Sequence, residues 1–520
     1  MPDDDLAERV QSALSVDREA FQAKVDDDTA VLKEELKAGT FDNPQAIVGL
    51  EYEFYAVSEP DAERHRTDGD YPLRRVPRRL LEFIGFEKEL GLHNAEMTTS
   101  PQPFNRHGLL AQEHEVLARL ETALDCTRPE GMRLVSDALW TIPPEGESAS
   151  QYLTDSVEDR GIRIATNMSD SARYHAMANT DRSTTAGMRL DAPNVDLEAD
   201  TVLPESLITS IQPHYQVSHA GDLPTFFSYA LRVAGPLLAL GVNSPFFPPE
   251  LYDESVDAET ILDDAWMEHR IGVFETVLNA ASDTAGKVRF PRDFETVEEA
   301  VDRIAEDDTF VPLEVEETNR FDDKFAHFRT KHGTYWRWVR PVFGGPTRSA
   351  ANARIEFRPI AAQPTVRDSL AFQAAFAGLM EALPKLEHPV ADLDWELAHD
   401  NFYRAMRDGL DADFTWITND GKQSTDTVAI YEDILDHAEQ GLQNRGLSDD
   451  DTATFLYPLR VRVRQHTTPA RWKHDRVREL VDGGTAFDEA VYAAQREYIE
   501  AQEETLLAGS FADWLREGRN

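Results

Sequence analysis

Two carboxylates stand two residues apart in the segment GLEYEF, at Glu51 and Glu53. Side chains alternate faces along a strand, so these two project together while Leu50, Tyr52 and Phe54 project the other way. The same arithmetic applies twice more. In IQPHYQVS, Gln212, His214, Gln216 and Ser218 share a face against Ile211, Tyr215 and Val217. In ARIEFRPI, Arg354, Glu356 and Arg358 share a face against Ile355 and Phe357. Paired carboxylates repel unless a cation joins them, and the Glu51 face also carries Ile47, Tyr55 and Val57, which argues for partial burial and for metal over a solvated edge. Guanidinium forks match phosphoryl oxygens, so Glu356 beside Arg358 reads as a cation next to a phosphate. A surface salt-bridge ladder accounts for ARIEFRPI taken alone, and a satisfied structural imidazole for His214 taken alone. Taken together, the three faces point to one curved sheet whose polar side is a cleft for metal and phosphate.

The elements that must hold these residues are legible from periodicity. QAIVGLEYEFYAV at 45–57 reads as a strand, as does 207–218, where Pro213 lacks a donor and calls for an edge, a start or a bulge. Residues 333–360 read as two strands around a Gly-rich turn. Residues 107–125 have helical spacing, 146–200 read as long loops with short elements, and 223–240 read as a helix interrupted near Gly235 and Pro236. Everything past Thr365 is expected to be mainly helical, and residues 1–40 an acidic, peripheral helical arm. The class is α+β, with a curved, mainly antiparallel sheet packed by helices. The expected division is an arm at 1–40, a catalytic domain at 41–386 and a helical C-terminal region at 387–520.

Several chemistries are excluded. There is no GxxxxGK(S/T) phosphate loop and no strand-linked GxGxxG, so a nucleotide must be held by metals and arginines. No GxSxG elbow and no HExxH occurs, and the single cysteine, Cys126, lies in a helical stretch as an expected core thiol, so neither a disulfide nor a cysteine zinc cluster is available. The balance of 52 basic against 96 acidic residues gives a net charge of -44, which disfavours nucleic acid and anionic membranes as partners. Only 10 of the 52 basic residues are lysine; this looks like the composition of a salt-adapted archaeon, so the acidity is an environmental signature and not evidence for a cationic substrate. The start lacks a secretory pattern, and the greasy stretch 233–242 is too short to span a bilayer, so a cytoplasmic protein is expected.

An ordered set of motifs resembles the glutamate-cysteine ligase family of the second type, carboxylate-amine ligases related in fold to glutamine synthetase. GLEYEF at 49–54 resembles the family's opening G-(I/V)-E-x-E-(F/L), and AEMTTSPQP at 95–103 the segment that follows. IQPHYQVS at 211–218 resembles its His-rich strand, and VNSPFF at 242–247 its Asn-Ser-Pro-Phe loop. TYWRWVRP and RIEFRPIAAQPT resemble the closing motifs, so the set spans about residues 45–370, with the stretch before Asn352 and the tail beyond Leu386 outside it. Members commonly carry a second histidine where this chain has Gln216. The resemblance implies that ATP phosphorylates a carboxylate, the γ-carboxylate of glutamate by family, and that an amine such as cysteine displaces phosphate, a step of glutathione or γ-glutamylcysteine biosynthesis. It implies Mg2+ or Mn2+ held by Glu51, Glu53, Glu96 and Glu356, and a metal or nucleotide contact from His214 and Gln216. It further implies phosphoryl stabilisation by Arg358 and Arg340, and an amino-acid carboxylate anchor in Arg270. The alternative is a catalytically silent homologue that binds nucleotide or amino acid in a regulatory or scaffolding role.

Overall fold

The computed structural model describes residues 5–59, 71–180, 187–279, 286–315 and 318–517. Among them, eight strands form one sheet. The first five are β1 (Ile47–Ser58), β2 (Glu87–Lys88), β3 (Asn94–Thr98), β4 (Gln102–Pro103) and β5 (Met132–Val135). Two small hairpins follow, β6 (Ser156–Asp159) with β7 (Ile162–Ala165), and β8 (Met188–Ala192) with β9 (Val195–Ala199). The sheet resumes with β10 (Ile211–Val217), β11 (Val339–Gly344) and β12 (Asn352–Phe357), and β13 (Trp416–Ile417) pairs with β14 (Gln423–Ser424) in a last hairpin. Strand order is β11-β12-β10-β1-β3-β2, antiparallel throughout, with β4 and β5 also pairing β1. The sheet curls into a half-barrel. The class is therefore the α+β class expected, with helices dominating after residue 365.

The apolar side of the sheet is a core. Leu50, Tyr52 and Phe54 are buried, the two rings stack at 4.3 Å, and the Tyr52 hydroxyl meets Ser136 Oγ at 2.7 Å. Beneath it lies the helix Val366–Ala382, buried except at Arg367, whose Phe376 stacks on Phe357 of β12 at 4.3 Å. That helix crosses Thr427–Asn444 at backbone contact: a Cβ on Gly441 would stand 1.8 Å from the Gly378 carbonyl oxygen. Arg462, fully buried in Asp449–Gln465, reaches back to Asp368 at 2.8 Å and Gln363 Oε1 at 2.6 Å. Lys473 and Gln495 close on Asp137, and Gln495 also donates to the Tyr55 hydroxyl of β1 at 2.9 Å. The C-terminal helices thus share one hydrophobic core with the sheet.

Three expectations need correction. The N-terminal helices, Leu6–Leu14 and Arg18–Lys37, are not peripheral, since Phe21, Val25 and Leu32 are buried in the main core and their mainly polar faces meet solvent. Leu223–Gly241 is one helix despite Pro236. It is packed on all sides, Tyr431 donates to the Pro236 carbonyl at 2.9 Å, and Gly235 admits the backbone of Asn401, from which an added Cβ would be 2.8 Å. By length and composition the span 220–241 passes for a bilayer-crossing helix, but 78% of that window is buried within the protein. Pro213 lies in an interior strand, opposite Leu50, and sits at a bulge, one of the settings expected for it: His214 pairs with Glu356 but Ser210 bridges to Ala361, one residue more on the partner side. Cys126 is half-buried rather than a core thiol.

Candidate active site

The register gathers the polar residues on the concave face. Glu53 lies directly across from Glu96 of β3, His214 from Glu356 of β12, and Glu356 in turn from Arg340 of β11. Arg358 follows one residue after the end of β12. Alternation along five neighbouring strands is thus what brings eight of the nine candidate residues together.

The carboxylates divide into two groups. In the first, Glu51, His214 and Glu356 offer ligand atoms that all lie within 4.8 Å of one another. His214 Nδ1 accepts from Arg354 Nε at 3.3 Å, which places the proton of the neutral ring on Nε2, 3.3 Å from Glu51 Oε1. In that tautomer the imidazole orients the Glu51 carboxylate. Glu356 Oε1 accepts from Arg340 Nε at 2.9 Å and from Arg358 at 2.6 Å. Burial would raise the Glu356 pKa, but the two guanidinium groups hold it well below the carboxylate range.

The second group lines a chamber of about 210 Å³ and contains Glu53, Glu89, Glu96 and Glu205, faced by Arg340 and Arg358. Glu53 accepts from the Ser210 amide at 2.6 Å and Gln212 Nε2 at 2.9 Å. Burial and the neighbouring Glu89 push Glu53 up to about 7 and Glu205 to about 8, while burial with Glu89 and Glu51 raises Glu96 well above its usual value. Four carboxylates of this kind form a hard oxygen donor set, which suits Mg2+ or Mn2+ and is relieved of its repulsion by one. Arg358 spans both groups, donating to Gln212 Oε1 at 2.8 Å as well as to Glu356.

A second chamber of about 440 Å³ shares Glu51 and Gly333 with the first. It combines apolar wall from Ile47, Val342 and Phe343 with Arg320, Arg329 and Arg354. Gln216 faces it, its Nε2 bound to the Gln45 carbonyl at 2.6 Å. Arg270 stands apart from both chambers. It is buried over the Trp338 ring at 5.2 Å, with its guanidinium taken up by the carbonyls of Arg358 and Pro359, so it props the backbone that carries Arg358.

Sequence reasoning missed Glu89, Glu205, Arg320 and Arg329. Each lies outside a strand, where no alternation marks it, and among 96 acidic residues a single glutamate carries no signal.

A family model described as glutamate-cysteine ligase family 2 matches residues 47–504, which takes the likeness through most of the C-terminal helices, well past the quoted motifs. A crystal structure of glutamate-cysteine ligase from Francisella tularensis in complex with AMP is similar at 11% identity and a TM-score of 0.50, covering 92% of this chain and 93% of that one. A bifunctional glutathione synthetase from Pasteurella multocida is similar at 12% identity and a TM-score of 0.47, over 91% of this chain and 55% of that one. No curated protein matches the sequence.

Proposed function

The chain belongs to glutamate-cysteine ligase family 2, an ATP-dependent carboxylate-amine ligase, and from that premise we propose that it joins the γ-carboxylate of glutamate to an amine, cysteine by default, through an acyl phosphate. The observation that carries the reading is the convergence of Arg340 and Arg358 on one oxygen of Glu356, between two groups of buried carboxylates. The γ-carboxylate oxygen attacks the terminal phosphorus of ATP and ADP leaves. The amine nitrogen then attacks the acyl carbon, expels phosphate and loses a proton. Held by Glu51 and Glu356 on one side and Glu53 and Glu96 on the other, Mg2+ or Mn2+ would offset triphosphate charge. Arg358 and Arg340 stabilise the charge on the phosphoryl group in flight. His214 orients Glu51, Arg270 holds the Arg358 backbone in place, and Gln216 with the apolar wall of the larger chamber receives the nucleotide. Glu205 and Glu89 enclose the smaller chamber, where the amino-acid substrates sit.

The test is ADP release with Mg2+, ATP and glutamate across a panel of amines at high salt. Amine-dependent ADP and phosphate are expected, and Glu53→Gln, which keeps shape but removes charge, should lower the rate by about a hundredfold or more. AMP and pyrophosphate as products would overturn the acyl-phosphate route. No ADP release with any amine would leave a silent nucleotide- or amino-acid-binding homologue.

A further inference from the structure

The wall of the larger chamber is held from outside the family match. That match begins at residue 47, whereas the helix Arg18–Lys37 precedes it and packs on the segment 321–332, which supplies Asp322, Arg329 and His332 to the chamber.

The short helix Ala326–His332 has no cap of its own. Phe325 stands at its N-cap position and makes no side-chain cap bond, so the amides of the first turn need an acceptor from elsewhere. Asp28 supplies it. Its Oδ2 accepts from the His327 amide at 2.7 Å and the Phe328 amide at 3.2 Å, and His327 Nδ1 lies 3.4 Å from the same oxygen. These amides occupy the second and third helical positions, the donors that a cap side chain normally takes. The cap thus comes from a residue 299 positions away along the chain.

What the capped helix carries is the chamber wall. Arg329 bonds to Asp322 at 2.9 Å, and that carboxylate also takes Arg320 at 2.8 Å and the Gly345 amide at 3.0 Å. At the helix end, His332 Nε2 meets the Pro341 carbonyl of β11 at 2.9 Å. Glu35 makes a second grip. Seven residues beyond Asp28, it lies on the same helix face and accepts from Lys324 at 3.0 Å and Arg348 at 2.9 Å, which joins the segment 321–332 to the turn between β11 and β12. We propose that the helix Arg18–Lys37 is a positioning element for nucleotide binding, with Asp28 and Glu35 the residues through which it sets the wall of the larger chamber. The inference rests on that chamber receiving the nucleotide. The catalytic carboxylates are held separately, by β1, β3 and β12, so losing either grip reaches the nucleotide and leaves the reacting groups in place.

Calorimetric titration of the full-length protein with Mg2+ and the non-hydrolysable β,γ-imido analogue of ATP tests this. Asp28→Ala removes the acceptor and should weaken the analogue about fivefold or more, whereas Asp28→Asn keeps an acceptor oxygen and should stay within about twofold of wild type. Lys33→Met breaks the ion pair that ties the same helix to Asp302, away from the chamber, and should leave the affinity unchanged. In steady-state ADP release, Asp28→Ala should raise KM for ATP about fivefold or more and change kcat by less than about twofold, whereas a mere loss of folded protein lowers kcat alone. Glu35→Gln, a milder break at the other grip, should weaken the analogue about threefold or more and serves where Asp28→Ala folds poorly. Arg354→Ala strikes the chamber itself. If it leaves the analogue's affinity unchanged, the nucleotide binds elsewhere, and the reading of the chamber falls with this inference. If Arg354→Ala weakens the analogue while Asp28→Ala and Glu35→Gln do not, or if Asp28→Asn or Lys33→Met weakens it as much as Asp28→Ala, the positioning role alone is overturned.

Discussion

Arg358 donates through one nitrogen to both Gln212 and Glu356, so its guanidinium is locked between the two carboxylate groups. Arg358→Lys keeps the charge and loses the fork, and is expected to lower kcat about a hundredfold or more while KM for ATP changes only a few-fold. A proportional change in both, measured by steady-state ADP release, would place Arg358 in ground-state binding. A different residue governs acid stability. His93 is fully buried between the Tyr152 hydroxyl and the Ser206 carbonyl, and burial pushes its pKa down to about 3. Its folded pKa lies below the unfolded value near 6.5, so its contribution is complete above that pH and is lost as pH falls towards 3. At pH 5 the loss is about 2 kcal/mol. In denaturant unfolding, His93→Gln should be less stable at pH 8 yet lose stability less steeply between pH 6.5 and 4; an unchanged slope would remove His93 from acid sensitivity. The residues legible in advance were those on strands. Glu51, Glu53, Glu356 and Arg358 announced themselves by alternation, whereas Glu89 and Glu205 reach the same chamber through loop geometry that no spacing encodes. Arg270 was legible as a candidate, but its bonds to the carbonyls beside Arg358 depend on a helix brought there by the whole fold.

At the scale of elements, the crossing of Val366–Ala382 and Thr427–Asn444 sets the platform under β10 and β12. Alanine normally gains about 0.5–1 kcal/mol over glycine inside a helix. At Gly441 the new Cβ would instead overlap the Gly378 carbonyl oxygen at 1.8 Å. Gly441→Ala is therefore expected to cost about 3 kcal/mol or more, read as a lower denaturant midpoint at unchanged m-value. A neutral or stabilising result would mean that the helices can separate without loss. Strands were legible because a period of two with one polar face has few competing readings. The helix Leu223–Gly241 was legible too, but not its continuity, because Pro236 is a local breaker whose cost is offset by packing around it, and local propensity carries no term for that.

At the scale of the molecule, the net charge of -44 repels itself over a Debye length of about 30 Å at 0.01 M salt but only about 3 Å at 1 M. The unfolding midpoint should rise between dilute and molar KCl by several degrees or more, and a flat melting temperature would show that local ion pairs already balance the surface. Composition made that charge legible, but not that the N-terminal helices are core elements, because their buried Phe21, Val25 and Leu32 are spaced among carboxylates that dominate the reading. The C-terminal helices have a consequence in time. Tyr55 of β1 receives its bond from Gln495, 440 residues later, and Asp137 waits for Lys473 across 336. A ribosome adding about 5–20 residues per second takes roughly 20–90 s to supply the missing partner. Through that interval the Tyr55 hydroxyl has only Asp137, at 3.3 Å, and that carboxylate lacks its lysine, so this buried polar end of the catalytic strand is fully satisfied only when the last helices are made. Synthesis of this protein is therefore a race between completing its own tail and holding an open, aggregation-prone edge, and the final residues of the family match are what end it.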